Sequence, residues 1–519
     1  MSLTCVAMES LLYSLHVTRI HKLLPGSDVE RVLYIPITMS AGEEQLVPYT
    51  EILQKECPRL RILVVGKSGA GKSALINAVF GSDVTPVVDK VSGDHDIEKE
   101  LTLASNDRII IHDSKGFEGG EEKNLQKVFD FIDRRSKMPA LKDQIHAIWI
   151  CAEIPFAGSR LFEKGVERLL QEFRWDVPII VLFTKLDILR QHRENELEQE
   201  LERRDEEMED TEFEARLDNI VDAEVEKLCI KPLHEFTRPD GSQYHWIKTS
   251  INQEAQYKKT IANLVDVALE LTKVEDRWIE MAIAQRSSAK SSIEASVRIG
   301  RKRYWRGLFS DLLAGVTMIR LLDVLQRDIV NVWNLHDPEQ HLIRPEFLAL
   351  LSVLVEDLSG EQSKNNYPLT ERAIQSIIDH PTSVVVAGPT AIVVLFAEWV
   401  RGTYNKTKSS VRCLIAFIVD LTLTMDTLFY LVLSRGKPPL KIGHINEALR
   451  IYKTRKTSIH TSIKTWTDLW GAFSHLEADK VISKIADIIA GYSVKPEKWE
   501  FKDQAVQEHW MTADELREI

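Results

Sequence analysis

The residues Gly66-Lys67-Ser68-Gly69-Ala70-Gly71-Lys72-Ser73 constrain this chain more than any other stretch. They follow the apolar run Arg61-Ile62-Leu63-Val64-Val65 and precede Ala74-Leu75-Ile76-Asn77-Ala78-Val79-Phe80, which has helical composition. A strand that turns through glycines into a helix is the context in which G-x-x-x-x-G-K-[ST] means a phosphate cradle rather than a chance string. Glycines let backbone N–H groups converge on an anion with no Cβ in the way. The helix opening near Gly71 aims its positive end at the same point. Gly66, Lys67, Ser68, Gly69, Ala70, Gly71, Lys72, Ser73 and Ala74 are therefore the candidate phosphate-binding residues. Lys72 would reach the β- and γ-phosphates, and the Ser73 hydroxyl would ligate Mg²⁺. The competing reading, a plain βα turn with a surface lysine, is disfavoured by strand, loop and helix standing in this order.

From Arg59 onward the pattern is regular α/β. Strands are expected at Glu98 to Leu103, Arg108 to His112, Ile145 to Cys151, Val177 to Phe183 and Tyr244 to Lys248, with helices at Glu122 to Arg135 and Phe162 to Phe173. That alternation implies a mostly parallel sheet with helices on both faces. Beyond about residue 275 the strand pattern stops. Helices are expected over Ala284 to Val332, Pro345–Asp357, Glu371–Asp379, Thr390–Lys406, Ser410–Leu433, Ile445–Thr465 and Leu476–Ile489. The expected fold class is an α/β P-loop domain followed by an all-α helical domain. Its divisions are an unassigned extension at 1–58 (with a short helix from Leu46 to Cys57), the α/β domain at 59–272, the helical domain at 273–490, and a polar, loosely held tail at 491–519. A chain of 519 residues exceeds what one core supports, which agrees with such a division.

Charge is uneven. Of the net −12, the stretch Glu194 to Glu226 contributes −13, from sixteen acidic against three basic residues, so the rest of the chain is close to neutral. A nucleic-acid-binding role is not supported. The acidic segment, an insertion at about 188–232, reads either as a docking surface for a basic partner or as a solvated helical hairpin. The cluster Arg298, Arg301, Lys302, Arg303 and Arg306, with Tyr304 and Trp305, reads as a peripheral contact with anionic lipid or as a solvated helix face. Val384 to Ala397 is too short to span a bilayer, and Cys413 to Leu433 carries Asp420 and Asp426, so both read as core helices. Five scattered cysteines and no leader-like N-terminal pattern make the cytoplasm the expected setting.

Three further stretches fall at strand ends. Asp113 would hold Mg²⁺ through water, and the Gly116 N–H would bond the γ-phosphate, so Lys72 and Gly116 are the candidate catalytic groups. In Thr184-Lys185-Leu186-Asp187, a carboxylate at Asp187 accepts two N–H donors from a guanine edge, which adenine lacks. The Lys185 stem would lie along the purine. Thr184 would tie this turn to the phosphate loop in place of a more usual Asn, and the Ser250 N–H would meet the guanine O6. GTP or GDP with Mg²⁺ is therefore the expected ligand, with Ser73 and Asp113 on the metal.

With those residues in order, the chain resembles the septin-like, immunity-associated and immunity-related GTPases, whose phosphate loops read like residues 66–73 followed by Leu75-Ile76-Asn77. It more closely resembles a group of fungal G-domain proteins, at His112–Glu118, Asp143–Trp149 and Val181–Asp187, and more weakly at Tyr304–Leu308 and Val419–Leu431. The resemblance implies a GTPase over about 59–272 and gives the helical half no activity. Two departures stand out. The Thr that closes on Mg²⁺ and γ-phosphate has only Thr85, Ser92 and Thr102 as candidates. Phe117 stands where many relatives carry a Gln that orients water. Relatives with such a hydrophobic residue place water by other groups, often across a dimer; here His112, Glu118, Glu121-Glu122 or a second protomer would have to serve. Gly69 replaces the Asn of potassium-activated relatives, so no potassium stimulation is expected. The readings are a slow, assembly-regulated GTPase whose helical domain reports nucleotide state, or a GTP/GDP-binding scaffold with little hydrolysis. An ATP-driven enzyme is disfavoured by Asp187.

Overall fold

The computed structural model describes residues 47–80, 97–103, 106–114, 122–156, 158–252, 254–272, 274–303, 318–358, 408–435, 438–469, 478–495 and 509–519. Its sheet has six strands: β1 Leu60–Val65, β2 Leu101–Leu103, β3 Asn106–Asp113, β4 Ala147–Glu153, β5 Ile179–Thr184 and β6 His245–Lys248. The spatial order is β2-β3-β1-β4-β5-β6, and every pair is parallel except β2 against β3. β1 and β5 are buried at every residue, as apolar runs without alternation require when helices cover both faces. β1 lies between β3 and β4, so the chain leaves it in both directions. The strand ends beside β1 therefore open into the crevice where ligands of open α/β sheets bind. β2 is shorter than expected because Ile97–Lys99 turn, which lets the Ile97 carbonyl accept from His112 Nδ1 at 2.8 Å.

Helix α1 (Tyr49–Glu56) precedes the sheet, and α2 (Lys72–Phe80), α3 (Glu122–Ser136), α4 (Lys164–Gln171), α5 (Leu186–Arg204), α6 (Asp210–Val225) and α7 (Ala255–Glu270) flank it or extend from it. The acidic segment is the α5–α6 hairpin. Leu197, Leu201, Leu217 and Val221 form its buried seam, and Arg190 pairs with Glu214 and Asp218 while Arg193 pairs with Glu196 and Glu224.

The second half is helical: α8 (Glu275–Ala284), α9 (Ala289–Arg303), α10 (Met318–Trp333), α11 (Pro345–Leu354), α12 (Lys408–Ser434), α13 (Ile442–Asp468), α14 (Ala478–Tyr492) and α15 (Ala513–Glu518). Among the described residues, α12 contains the one stretch long and apolar enough to cross a membrane. It is almost wholly buried, with α9, α10, α11, α13 and α14 packed on it. Its acids are enclosed with partners. His460 on α13 lies between two carboxylates, its Nδ1 2.9 Å from Asp357 Oδ1 and its Nε2 3.1 Å from Asp420 Oδ2. Tyr452 donates to Asp420, and Lys456 Nζ is 3.0 Å from Asp357.

The C-terminal segment departs from expectation. Residues 509–519 are held: Met511 and Leu516 are buried, Asn446 bonds His509 O at 2.9 Å and Met511 N at 3.1 Å, and Arg517 pairs with Glu356 at 2.7 Å. A polar sequence concealed two apolar anchors and a Thr512–Glu515 capping box. α1 is likewise tied to the helical half. Asp328 of α10 accepts from Tyr49 N (2.9 Å), Thr50 N and Thr50 Oγ1 (both 2.8 Å), supplying the N-terminal cap that Pro48 does not.

Of the basic cluster, Arg298 stacks over Trp278 at 3.7 Å and Lys302 pairs with Asp276 at 2.5 Å, so two of its cations are engaged within the fold. Residues 1–46, the helices expected at Glu371–Asp379 and Thr390–Lys406, the stretch Val384 to Ala397, and Tyr304, Trp305 and Arg306 lie outside the described residues.

Candidate nucleotide-binding site

The sheet brings four strand ends together. After β1 the chain turns at Gly66, where an added Cβ would stand 2.3 Å from the Cys151 carbonyl oxygen, so the loop passes against β4 only because no side chain is there. Gly69 and Gly71 have φ of 76° and 82°, the left-handed region that glycine adopts without a Cβ penalty. Within the loop Ala70 N–H donates to Lys67 O at 3.2 Å, and Ser68 and Gly69 face solvent. Ser73 and Ala74 stand in the first turn of α2. Lys72 Nζ donates to Gly66 O at 2.9 Å and Lys67 O at 3.1 Å, folding the ammonium over the loop it belongs to.

Asp113 ends β3 opposite Val64, and Ser114 N–H continues the ladder to Val64 O at 3.1 Å. Its carboxylate comes within 3.9 Å of Lys72 Nζ, both side chains about seven-eighths buried. Gly116, with Phe117, Glu118 and Glu121, lies outside the described residues, as do Thr85 and Ser92. Thr102 does not reach the site. It is paired with Ile110 in the β2–β3 ladder, three residues before Asp113, which at strand spacing is about 10 Å along the sheet. His112 also points elsewhere. As Asp113's neighbour on a strand it faces the opposite side, where it is fully buried against Ile97 O, Arg61 and the Phe131 ring. Burial holds its imidazole below the usual histidine range, in the neutral form.

The turn after β5 is built as tightly. Thr184 Oγ1 donates to Ala70 O at 2.8 Å, a direct tie from this turn to the phosphate loop. Lys185 adopts φ 63° and starts α5, and Leu186 N–H donates to Thr249 O at 3.2 Å, which binds the turn to the segment after β6. Asp187 then meets Ser250, whose hydroxyl donates to Asp187 Oδ1 at 2.6 Å while accepting from Asn252 N at 3.0 Å. The sequence pointed to the Ser250 backbone; the side chain turns out to be the part engaged with the carboxylate.

One residue escaped sequence reasoning. Glu153 ends β4 between the two loops, its Oε2 3.0 Å from Lys67 Nζ and its Oε1 2.9 Å from Lys185 Nζ. Burial raises its pKa, but the hydrogen bonds and charges of the two lysines outweigh that and hold the carboxyl below the usual glutamate range. The available signal was a lone acid closing the apolar run Ile148 to Ala152, as Asp113 closes β3. Cys151, two residues earlier, is pushed up to about 12 by burial and is an inert thiol.

A mostly parallel sheet with a glycine loop after β1, a carboxylate at the end of β3 and a tight turn after β5, followed by a helical region, is the fold of a P-loop GTPase domain joined to an all-α domain. Residues 61–185 match the family described as 50S ribosome-binding GTPase, and residues 341–503 match a domain of unknown function (DUF8505). Among solved structures, a probable GTP-binding protein engB is 17% identical over 41% of this chain and 98% of its own, with a TM-score of 0.21. A structure titled as an oligomerised bacterial dynamin pair that senses and tethers membranes is 13% identical over 86% of this chain and 82% of its own, at 0.22. Likeness this slight says nothing of partners. No curated protein matches the chain in sequence.

Proposed function

We propose that this chain binds GTP and GDP with Mg²⁺ and hydrolyses GTP slowly to GDP and phosphate. The observation that carries the reading is the Asp187 carboxylate, fixed by Ser250 at 2.6 Å in a turn that Thr184 ties to the phosphate loop at 2.8 Å. Base and phosphate recognition are thus held at one separation. Lys72 reaches the β- and γ-phosphates by leaving the Gly66 and Lys67 carbonyls it now bonds. The close approach of Gly66 to Cys151 holds the loop against β4, and the Asp113 carboxylate lies 3.9 Å from Lys72 Nζ. The Ser73 hydroxyl with the Asp113 carboxylate is a donor set of hard oxygens that fits Mg²⁺. Ser73 and, through water, Asp113 would hold that ion, which neutralises phosphate charge. Lys72 would stabilise charge developing on the transferred group, and by its place in the sequence Gly116, which lies outside the described residues, is the candidate N–H donor to the γ-phosphate.

Slow turnover is supported by the candidates among the described residues, with Thr102 locked in β2 and His112 turned away, and by the sequence, in which the Phe117 side chain has no group that bonds water. The same observations favour a second reading, a GTP/GDP-binding scaffold with little hydrolysis. Under the first, the water-positioning group would come from a second protomer; Phe156, Ile188 and Ile251, which follow β4, β5 and β6, are each about half exposed. The helical half would report nucleotide state through the end of α2, where Arg286 N–H donates to Val79 O at 2.9 Å. Buried free thiols at Cys57, Cys151, Cys229 and Cys413 suit a reducing, cytoplasmic setting. Competition of labelled GTP by GDP, ATP and XTP tests the base assignment: ATP competing as well as GTP would overturn it. Phosphate release per site distinguishes GTPase from scaffold.

A further inference from the structure

Resting on the nucleotide-binding reading above, we propose that Glu153 is the positioning residue that sets the phosphate loop and the base-recognition turn in register. β4 lies between β1 and β5, so its last residues stand between the loops that leave those strands. Three consecutive residues there contact both sides. Cys151 O faces Gly66 so closely that a Cβ would fall at 2.3 Å, Ala152 O accepts from Thr184 Oγ1 at 3.4 Å, and Glu153 takes Lys67 on one oxygen and Lys185 on the other. The two loops are separated by two strand spacings, roughly 10 Å. The Thr184 hydroxyl is a short link across that gap, and a glutamate holding two lysine ammoniums is a longer one. Glu153 is about three-quarters buried and ionised, which is the condition for holding both cations at once.

Lys185 is the residue whose stem would lie along the purine, and Lys67 belongs to the loop that wraps the phosphates. Anchoring both to one rigid strand end arranges them before nucleotide arrives, so less ordering remains to be done on binding. Each pair is partly solvated and worth a fraction of a kcal/mol alone, but both act on the same geometry.

Charge and positioning predict opposite signs, which makes the inference testable. Removing an anion beside a phosphate site raises the local positive potential. A purely electrostatic role for Glu153 therefore predicts that Glu153→Gln binds GDP more tightly, with guanosine unaffected. Positioning predicts weaker binding of both GDP and guanosine, by about five- to ten-fold. Calorimetric titration of the full chain with GDP, GTP and guanosine, for the parent, Glu153→Gln and Glu153→Asp, separates the two. The expected result is a loss in Glu153→Gln for all three ligands, partial recovery in Glu153→Asp, and a ligand-free melting temperature within about 2 °C of the parent. Glu153→Gln binding GDP as tightly as the parent, or more tightly, overturns the inference and leaves the nucleotide assignment standing. A parent chain that binds neither GDP nor GTP overturns the assignment and the inference together.

Discussion

The buried His460 sets a pH limit on the stability of the helical half. Burial alone would lower its pKa, but the charges and hydrogen bonds of Asp420 and Asp357 outweigh that and raise it to about 9. Asp357 is correspondingly held down at about 2: burial raises it, but the hydrogen bond from His460 and the charge of Lys456 prevail. A histidine raised from 6.5 to about 9 contributes stability that is fully present below pH 6.5 and is lost as pH rises through 9. At about 1.4 kcal/mol per unit, the contribution is about 3 kcal/mol. The Asp357 shift reports partly the same interaction, so the two are not additive. It acts at the other end, present above about pH 4 and lost as pH falls through 2. The groups around the imidazole do not cancel the effect: Tyr452 is raised well above 10, and the Cys413 thiol is pushed up to about 12, both chiefly by burial, so both stay protonated. Urea unfolding followed by circular dichroism at pH 6.0, 7.5 and 9.5 should show the parent losing about 3 kcal/mol more than His460→Gln. The difference is the measure because the buried Glu280 and Asp426, raised to about 8 and about 7 by burial, lose stability over the same range in both proteins. At pH 6, His460→Gln should be about 3 kcal/mol less stable than the parent. A parent protein equally stable at pH 6.0 and 9.5, or a His460→Gln variant that keeps the full slope, would show that the imidazole is not held as a cation between the two acids.

Other expectations concern the nucleotide site. Asp187→Asn should weaken GTP binding by at least about ten-fold and move preference towards XTP, read by competition binding, because an amide presents a donor where guanine also presents donors. Gly66→Ala should abolish nucleotide binding and lower stability by about 1–3 kcal/mol in thermal melts, since its Cβ would stand 2.3 Å from a backbone oxygen that has nowhere to move. If the water-positioning group comes from a second protomer, GTP turnover per site should rise with protein concentration while a GTP-state analogue drives dimerisation in size-exclusion chromatography. Constant turnover from a monomer rules that out.

The sheet was legible because each central strand is an unbroken apolar run, and Gly66, Asp113, Thr184 and Asp187 were legible because each closes or follows such a run. What stayed hidden has one physical character, long-range pairing through side chains. Nothing local marks Asp328 as the cap of a helix 278 residues away, or Ser250 as the donor to Asp187. Glu153 gave a local sign, an acid at a buried strand end, but its meaning needed the strand order that sets it between Lys67 and Lys185. The C-terminal segment misled for the opposite reason: polar composition outweighed Met511 and Leu516, whose burial depends on α11 and α13 being there to receive them.

The end of α2 has a consequence for anyone who would cut or graft this chain. Val79 O takes its donor from Arg286, and Asn106 at the foot of β3 donates to both Phe80 O and Ala284 O at 2.9 Å, with Asn334 closing the group onto Asn106 at 3.2 Å. α8 packs beneath β1 and β3 as well. A fragment ended at residue 272 would strip the donor from Val79 and uncover the apolar underside of the two strands that aim the phosphate loop. The smallest transplantable nucleotide-binding unit therefore extends through Arg286, and a fusion joined at the apparent α/β boundary would carry the motif without its floor.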